Sequence, residues 1–312
     1  MRRLVRNTRS ELGASARSRR EMLLTLPALA AAAGLASTLP GCAMRPPESA
    51  AWSGALQGRT LALLGEVHDN PIHHRLRAQA LRAACAAGWR PAVVMEQFDL
   101  EQQELIDRAR RDKPRDARAL IAATGAAKGW HWDDYAPLIA IALDHELPLL
   151  AGNVSRATAS RVIRDGYEAA RGAERVAAWR LARPPEAAWQ AAQESEIDRG
   201  HCGALPRSMW ATMARAQFAR DAALAHLLRR HGERGAVLLA GNGHVRRDIG
   251  VPRWLDAADA ARSVSVGFVE RDMPADELGP FDRVFDHVVR TEPASRPDPC
   301  AGFEAPRDRG SA

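Results

Sequence analysis

The chain has 312 residues, of which 46% are hydrophobic and 26% are charged, and its formal net charge is +6. Residues 1–41 contain seven Arg and two Glu, so they carry five of the six net positive charges. The rest of the chain is nearly neutral, which excludes nucleic acid as an expected partner. The roughly 270 residues after this segment are enough for one large α/β domain.

The first 41 residues predict a signal peptide rather than a part of the fold. A basic segment with an Arg-Arg pair, compatible with twin-arginine export, precedes the apolar run 23–39. The sequence Leu-Pro-Gly-Cys is similar to a bacterial lipobox and would make Cys42 the lipid-modified N-terminus. An ordinary secreted protein cut nearby is the alternative. Residues 42–55 predict a tether, so we expect a membrane-anchored lipoprotein in the bacterial periplasm or outer membrane.

The first candidate site follows a predicted strand. The apolar run 61–64 ends at Gly65, which is typical of a buried strand at its C-terminal end. Polar side chains come directly after it: Glu66, His68, Asp69, Asn70, His73 and His74. A carboxylate among several imidazoles can bind a metal or haem, or act as an acid/base site. The alternative is a capped surface helix with solvated histidines.

The next elements are a helix and a second strand. Helical spacing over 71–87 predicts an apolar face of Ile72, Leu76, Ala80 and Ala83. The strand at 92–96 then ends at a carboxylate, Glu96. This carboxylate is either a second acid/base or ligand group, or a helix N-terminal residue favoured by the helix dipole.

Aromatic residues are concentrated before the third strand. Trp130, His131, Trp132 and Tyr135 either form the wall of a flat apolar ligand or pack as a small hydrophobic cluster. If they form a wall, Tyr135 or His131 is the nearest candidate axial donor. The strand that follows ends at Asn153, and the mainly helical segment after it predicts a cap over the mouth of the sheet.

The longest predicted helix spans 206–231 and carries polar side chains among its apolar ones. Gln217, Arg220 and Asp221 fall on the apolar side at 100° per residue. Unpaired buried polar groups cost ~1–3 kcal/mol each, so these side chains form a network or the wall of a site. An Arg220–Asp221 brace for the strand-end loops is the favoured interpretation, and a purely structural network is the alternative.

A second Gly-x-x-His strand end repeats the first pattern. The strand at 236–241 is followed by Asn, Gly and His244. Because the carboxyl ends of parallel strands share one edge of a sheet, we expect Glu66, His68 and His244 to converge, with Glu96 as the fourth member. His68 and His244 are the candidate metal ligands.

Together these elements predict an α/β fold. Its centre is a mixed, largely parallel sheet flanked by helices, with a helical insertion over the C-terminal edge. The strands at 263–270 and 283–290 are expected to pair as an antiparallel ribbon at the sheet edge. The domain spans 56–292 and the Pro-rich tail spans 293–312. Export permits a disulfide, for which Cys202 and Cys300 are the flexible partners, while Cys85 is expected to be buried.

The motifs, taken together and in order, resemble those of the ChaN-type haem-binding lipoproteins over about residues 55–290. They are LLGEVHDNPIHH, the strand with Glu96, WHWDDYAPL, LPLLAGNVSR, HCGALP with the following M-x-x-x-Q-x-x-RD, and AGNGHVRRDIGVP. That family is similar to the Tiki/TraB metalloproteins and the erythromycin esterases. The resemblance implies haem binding, a role in haem or iron uptake with an outer-membrane transport system, and a homodimer enclosing haem.

The resemblance leaves two functions open. It implies tyrosinate ligation of haem iron, but Tyr135 and Tyr167 are the only tyrosines and neither aligns as the ligand. The favoured function is a haem-binding lipoprotein without turnover. The alternative is a hydrolase dependent on histidine or a divalent metal ion, with Glu66 or His68 as base and His244 as ligand or electrostatic partner. The sequence contains no G-x-S-x-G motif, so a serine esterase is not expected.

Overall fold

The structure is a computed structural model that describes residues 54, 56, 60–125, 129–273 and 281–302. The predicted signal peptide, Cys42 and most of the predicted tether lie outside the described residues. Within the described part, no helix is both long enough and apolar enough to cross a membrane.

A parallel sheet forms the centre of the fold. Its strands are β1 (Leu61–Leu64), β2 (Ala92–Asp99), β3 (Leu149–Asn153), β4 (Ala236–Leu239), β5 (Ser263–Glu270) and β6 (His287–Thr291). Their spatial order is β3-β2-β4-β1-β5-β6, and every pair of neighbours is parallel. The α/β class and the largely parallel sheet are thereby confirmed. Because β4 lies between β1 and β2, the carboxyl ends of these three strands adjoin.

The predicted antiparallel ribbon at the sheet edge is wrong. β5 and β6 pair in parallel, with Val266 opposite His287 and Glu270 opposite Thr291. The connection over 271–286 is long enough for a crossover, which needs about a dozen residues or more. The described sheet is therefore wholly parallel rather than mixed.

Helices cover both faces of the sheet. In chain order they are α1 (Pro71–Ala86), α2 (Gln103–Asp112), α3 (Ala117–Ala123), α4 (Trp132–Asp144), α5 (Arg156–Arg171), α6 (Ala173–Ala178), α7 (Ala187–Gly200), α8 (Trp210–His231), α9 (Asn242–Val245), α10 (Ala257–Ala261) and α11 (Phe281–Val284). Helices α1 to α4 pack on one face, and α5, α6 and α8 pack on the other. Alternate residues of β1 enter the two cores, Ala62 and Leu64 on one side and Leu61 and Leu63 on the other. Burial on both faces explains why the strands are continuously apolar.

The buried face of α1 differs from the predicted one. Ala83 is exposed and Leu76 is only partly buried, whereas His74 and Arg77 are buried. These two polar side chains turn inward because both contact the buried carboxylate of Glu66. The predicted face is therefore wrong at Ala83, while Leu76 packs against the core as predicted, since a charge pair across the fold sets the rotation of the helix.

The helical insertion is tied to the rest of the domain through the C-terminal tail. Cys202, just after α7, forms a disulfide with Cys300, and the free Cys85 is buried, which confirms both cysteine predictions. The tail is also held by Arg296, which contacts Asp69 at 2.7 Å and also contacts Glu270. A covalent bond and ion pairs therefore connect the insertion to the loops at the sheet edge.

Candidate functional site

The candidate site lies where β1, β2 and β4 end side by side. The amide of Gly65 donates to the carbonyl of Val266 at 2.8 Å, and the amide of Asn242 donates to the carbonyl of Glu66 at 2.9 Å. A Cβ at Gly65 would lie 2.2 Å from Asn242 Oδ1, so this close approach requires glycine. The contact between Asn242 and Glu66 holds the two Gly-x-x-His segments against each other, and the contact of Gly65 ties the first segment to β5.

Glu66 is the buried centre of the first cluster. Tyr135 donates its hydroxyl to Oε1 at 2.6 Å, Gln97 Nε2 donates at 3.2 Å, and His68 Nδ1 lies 2.7 Å from the same oxygen. The guanidinium of Arg77 contacts Oε2. Burial lowers the pKa of Arg77 to about 10, so it remains a cation at neutral pH. The carboxylate is therefore charge-compensated and fixed in orientation.

His244 is the centre of the second cluster. Its Nδ1 lies 2.5 Å from Asp221 Oδ1 and its Nε2 lies 3.3 Å from Glu96 Oε1. The other oxygen of Glu96 accepts from the amide of Gly241 at 2.7 Å. Gln217 Nε2 lies 3.2 Å from the His244 ring. Both ring nitrogens of His244 are thus engaged by carboxylates, one from β2 and one from α8.

These carboxylates make His244 a cation. Burial by itself would lower the pKa of His244, but Glu96 and Asp221 outweigh it and raise this pKa to about 10. Burial raises the pKa of Asp221 to about 6, although the contact with His244 opposes this. Burial also opposes ionisation of Glu96, yet His244 and the Gly241 amide lower the pKa of Glu96. At neutral pH, His244 is therefore an imidazolium held between carboxylates.

The His68 ring lies between the two clusters. A Cβ on Gly241 would lie 2.8 Å from His68 Cε1 and 3.7 Å from Glu96 Oε2, so the ring packs against bare backbone beside Glu96. The structure therefore brings Glu66, His68, Glu96 and His244 together at one sheet edge. Only His68 is substantially accessible, since its side chain is 47% exposed and that of Glu66 is 0% exposed.

A cavity of about 350 Å³ opens beside these side chains. Val67, His68 and His244 line it from the strand-end loops, and Ile197 and His201 line it from α7 and the turn after it. Glu196, Arg199 and Gln217 also line it, so the cavity combines imidazoles and apolar side chains with charged and amide groups. The helical insertion thus forms one of its walls, as the predicted cap over the mouth of the sheet requires.

Three predicted site residues instead hold the loop after β1 to the far edge of the sheet. Asn70 caps α1 by accepting from Ile72 N at 3.0 Å and donates to Glu270 Oε1 at 2.6 Å. His73 accepts from Val67 N at 2.9 Å, and its other ring nitrogen lies 2.7 Å from the Thr291 hydroxyl. Burial lowers the pKa of His73 to about 3, so it is neutral. Asp69 forms an ion pair with Arg296. None of the three lines the cavity.

Other predicted residues are placed differently from the prediction. Tyr135 is fully buried with its hydroxyl bonded to Glu66, so it presents no oxygen to a ligand. Arg220 donates to Gln217 at 3.3 Å rather than to Asp221, which corrects the predicted brace. Asn153 ends β3 with its Oδ1 buried and without a hydrogen bond among the described residues, and it does not line the cavity.

The aromatic segment forms one side of the Glu66 cluster. The ring of Trp130 contacts His68 edge-on at 4.9 Å, and Trp132 stacks on Phe98 at 5.2 Å. Trp130 and Trp132 are partly buried against the core, whereas His131 is exposed. The segment therefore packs chiefly as a hydrophobic cluster that orients His68.

Sequence reasoning missed several residues of the site. Arg77 lies three positions after His74, which the sequence did single out, and both are buried on α1, a spacing that would have signalled polar side chains on an inward face. Gln97 follows Glu96 in β2 and points to the other side of the strand, toward Glu66. His201 lies in the HCGALP motif, but no local pattern indicated that this turn reaches the cavity.

Comparison with known proteins shows the family to which this chain belongs. A family model described as "Haem-binding uptake, Tiki superfamily, ChaN" matches residues 52–255. The chain belongs to this family. No curated protein matches the chain.

The chain is similar to several solved structures, of which one has a TM-score above 0.5. The structure described as cofacial haem binding to ChaN of Campylobacter jejuni has a TM-score of 0.56 and 19% identity, and the match covers 77% of this chain and 90% of that one. The type III effector HopBA1 matches with a TM-score of 0.45, 13% identity and coverages of 80% and 94%. An erythromycin esterase, EreC, matches with a TM-score of 0.43, 11% identity and coverages of 74% and 77%. The likeness to the Campylobacter ChaN supports the α/β fold.

The residues around the cavity fit an iron porphyrin. The macrocycle brings its own equatorial nitrogens, so the protein needs to supply only axial donors and an apolar wall. His68 and His201 are imidazoles on the cavity, and Val67 and Ile197 are apolar side chains beside them. Among the described residues, no group of three or more His, Cys, Asp or Glu side chains is arranged to hold a metal ion.

Proposed function

We propose that this protein binds haem in the cavity at the C-terminal edge of its sheet and serves in haem uptake. The observation that carries the proposal is that cavity, lined by imidazole, apolar and charged side chains, in a chain of the haem-binding ChaN family. His68 provides an accessible donor atom, and the buried carboxylate of Glu66 fixes its ring. In this function the protein carries haem and does not convert it, so the site requires no nucleophile.

The test is a haem titration of the mature chain without its signal peptide. We expect a saturable Soret band at stoichiometric haem. Gly243→Trp places an indole in the cavity, where a Cβ at this position meets nothing within 4 Å, and it should abolish the band. Ala122→Trp on the exposed side of α3 is the matched control and should bind haem normally. Equal haem binding by both variants would contradict the proposed site.

We further propose that the protein acts at the bacterial cell envelope. Export with acylation of Cys42 would hold the domain at the periplasmic or outer membrane, where haem enters, and it would deliver haem to an outer-membrane transport system. Stable anchoring requires more than one acyl chain, because a single chain binds a membrane only marginally. Cys42→Ala should therefore move the mature domain to the soluble fraction of lysed cells. Retention of that variant in the membrane fraction would contradict the anchor.

We also propose that the haem-bound form is a dimer. Cofacial haem binding is described for the Campylobacter jejuni ChaN, and two haems face to face are most simply enclosed by two copies of a chain. Sedimentation velocity with and without haem provides the measurement. We expect a haem-dependent shift to the mass of two chains, and a monomer at saturating haem would contradict this part of the proposal.

One observation favours hydrolysis as a second candidate function. Asp221, His244 and Glu96 form a buried carboxylate–imidazolium–carboxylate row directly beside the accessible imidazole of His68. In this function His68 is the general base, oriented by Glu66, and cationic His244 is an electrostatic partner. Turnover of an ester panel that His68→Ala abolishes, in protein without detectable bound haem, would support it. Absence of turnover in the wild type, together with a saturable Soret titration, would favour haem binding alone.

A further inference from the structure

Arginines gather at the edge of the sheet where its strands begin. Arg90 lies just before β2 and Arg234 just before β4, and Arg234 Nε donates to the carbonyl of Arg90 at 3.1 Å. Arg229 and Arg230, in the last turn of α8, line an open depression of about 440 Å³ together with Arg262, which precedes β5. The dipole of α8 favours cations in its last turn, but Arg90 and Arg234 lie outside the helices. We name this surface the basic edge; it consists of Arg90, Arg229, Arg230 and Arg234.

The charges of the basic edge are not compensated by carboxylates. Two of its arginines donate to backbone carbonyls, which hold a guanidinium group in place but carry no net charge. Among the described residues, no carboxylate forms an ion pair with these four arginines, whereas the neighbouring Arg262 pairs with Asp259. The stretch 229–234 contains a single carboxylate, that of Glu233. The surface therefore keeps a net positive charge.

Two histidines beside these arginines are affected by that charge. His226 and His231 are partly buried near the end of α8. Burial lowers the pKa of both rings, and neighbouring guanidinium groups lower it further. Arg229 and Arg230 act on His226, while Arg230 and Arg234 act on His231. A surface that disfavours protonation of its histidines in this way attracts anions.

The chain enters the domain at the same edge. The amides of Thr60 and Leu61 donate to the carbonyl of Arg262 at 3.2 Å and 3.3 Å, so β1 begins beside the depression. Residues 43–59 connect Cys42 to this point, and a chain of that length spans at most about 60 Å. An acyl group on Cys42 would therefore keep a membrane within reach of this edge. The haem cavity lies at the opposite edge, where the strands end.

We propose that the basic edge docks on the surface of a bilayer that contains anionic phospholipids. Each arginine near such a surface strengthens binding by about fivefold. This inference goes beyond haem binding, and only the position of the domain close to a membrane rests on the proposed acylation of Cys42. Because the strands are parallel, docking through their first residues directs the haem cavity away from the lipid. Haem then enters and leaves the cavity from the aqueous side.

Docking orients the anchored domain and does not replace the anchor. At physiological ionic strength, charges separated by more than about 8 Å are largely screened. Four arginines at the edge of a folded domain therefore hold it only weakly without acyl chains. Cys42→Ala should still release the domain from cell membranes in physiological salt, and docking by itself becomes measurable at low ionic strength.

The test is sedimentation of the mature Cys42→Ala chain with vesicles. We expect binding to equimolar phosphatidylglycerol and phosphatidylcholine at about 0.01 M ionic strength, and release at about 1 M, where the Debye length is only about 3 Å. Arg230→Gln with Arg234→Gln should lower the affinity by about tenfold or more. The matched control replaces Arg75 and Arg156 by Gln, since both are exposed and lie near the starts of α1 and α5, at the opposite edge. The control should bind as the parent does.

Three results would overturn the docking surface: equal binding to vesicles of phosphatidylcholine alone, an equal loss in the test variant and the control, or no binding at low ionic strength. Inorganic phosphate that releases the protein more effectively than chloride at the same ionic strength would also overturn it, because the basic edge would then be a site for a free anion. The Soret titration should be the same in the test variant and the parent. A parent chain that binds these vesicles but no haem would overturn the proposed function and leave the docking surface intact.

Discussion

At the scale of single residues, the site is built from charges that compensate each other in the interior. The imidazolium of His244 lies between Glu96 and Asp221, and the guanidinium of Arg77 lies against Glu66. Removing one member of a buried pair leaves an uncompensated charge, which typically costs about 3–5 kcal/mol. These side chains should therefore tolerate substitution poorly, whereas the half-exposed His68 should tolerate it well.

The raised pKa of His244 predicts a pH-dependent stability. A group whose pKa the fold raises contributes stability that is fully present below its unfolded pKa, about 6.5 for histidine, and is lost as pH rises through the folded value. For His244 that value is about 10, so the wild type should become less stable between about pH 7 and pH 10. Urea unfolding across this range provides the measurement. His244→Gln should be less stable at pH 7 and show a shallower decline.

The change of stability over this pH range can be assigned to His244 for two reasons. Burial also raises the pKa of Asp221 from 3.8 to about 6, so the stability linked to this carboxyl is lost as pH rises between these two values, below the measured window. His131→Gln is the matched control, since this histidine is exposed and should leave the slope unchanged. An identical decline in the wild type and in His244→Gln would show that His244 is not held as a cation.

At the scale of single elements, Asn70 links the start of α1 to the edge of the sheet. Its Oδ1 caps the helix, and its Nδ2 donates to Glu270 and to the carbonyl of Glu292. Asn70→Ala removes both functions and should lower the free energy of unfolding by about 2 kcal/mol. Because Asn70 does not line the cavity, haem affinity should stay the same. Denaturant unfolding and a haem titration of this variant measure the two quantities.

Asn70→Asp is the informative partner of that variant. It keeps the acceptor that caps α1 but places a carboxylate against Glu270 where an amide donated. We expect it to be at least as unstable as Asn70→Ala at pH 7. If Asn70→Asp were as stable as the wild type, the cap alone would account for the role of this side chain.

The disulfide is the second feature at this scale, and its effects on stability and on haem release can be measured. It joins Cys202 and Cys300 across a sequence separation of 98 residues and connects the helical insertion to the tail. Replacing both cysteines by serine should lower the free energy of unfolding by about 2–5 kcal/mol. Haem should also dissociate faster, because the turn that carries His201 is no longer restrained. Thermal unfolding and stopped-flow haem transfer provide the measurements.

A reductant supplies the matched control for the disulfide. Dithiothreitol should reproduce both effects in the wild type and do nothing further to the double-serine variant. The free Cys85 is buried in the core and should not contribute. A wild type whose stability and haem release do not respond to complete reduction would contradict the restraint.

At the scale of the whole molecule, haem binding should stabilise the fold. A ligand that binds only the native state adds RT ln(1 + [L]/Kd), about 2.7 kcal/mol when free ligand is 100 times its Kd. Urea unfolding followed by circular dichroism, with and without haem, should show this increase in the wild type. The Gly243→Trp variant, whose cavity is filled, should gain nothing. An equal gain in both would indicate haem binding outside the cavity.

The sequence alone determined the local elements and the general place of the site. Apolar runs ending at Gly65 and Gly241 indicated buried strands. The polar side chains just after those strand ends indicated the edge of the sheet at which the candidate site lies. Strand identity and strand ends depend on periodicity and turn residues, which are local properties. The α/β class could also be predicted, and Cys202 and Cys300 could be named as the flexible candidates for a disulfide, but only the structure shows that they pair.

The tertiary structure decided which groups meet. The position of β4 between β1 and β2 places Glu96 against His244, although 145 residues separate Gly241 from that carboxylate. The rotation of α1, the burial of Tyr135 and the parallel direction of β6 likewise follow from long-range contacts rather than local spacing. The physical reason is that burying a charge is favourable only beside its partner, and only the folded chain determines which partner that is.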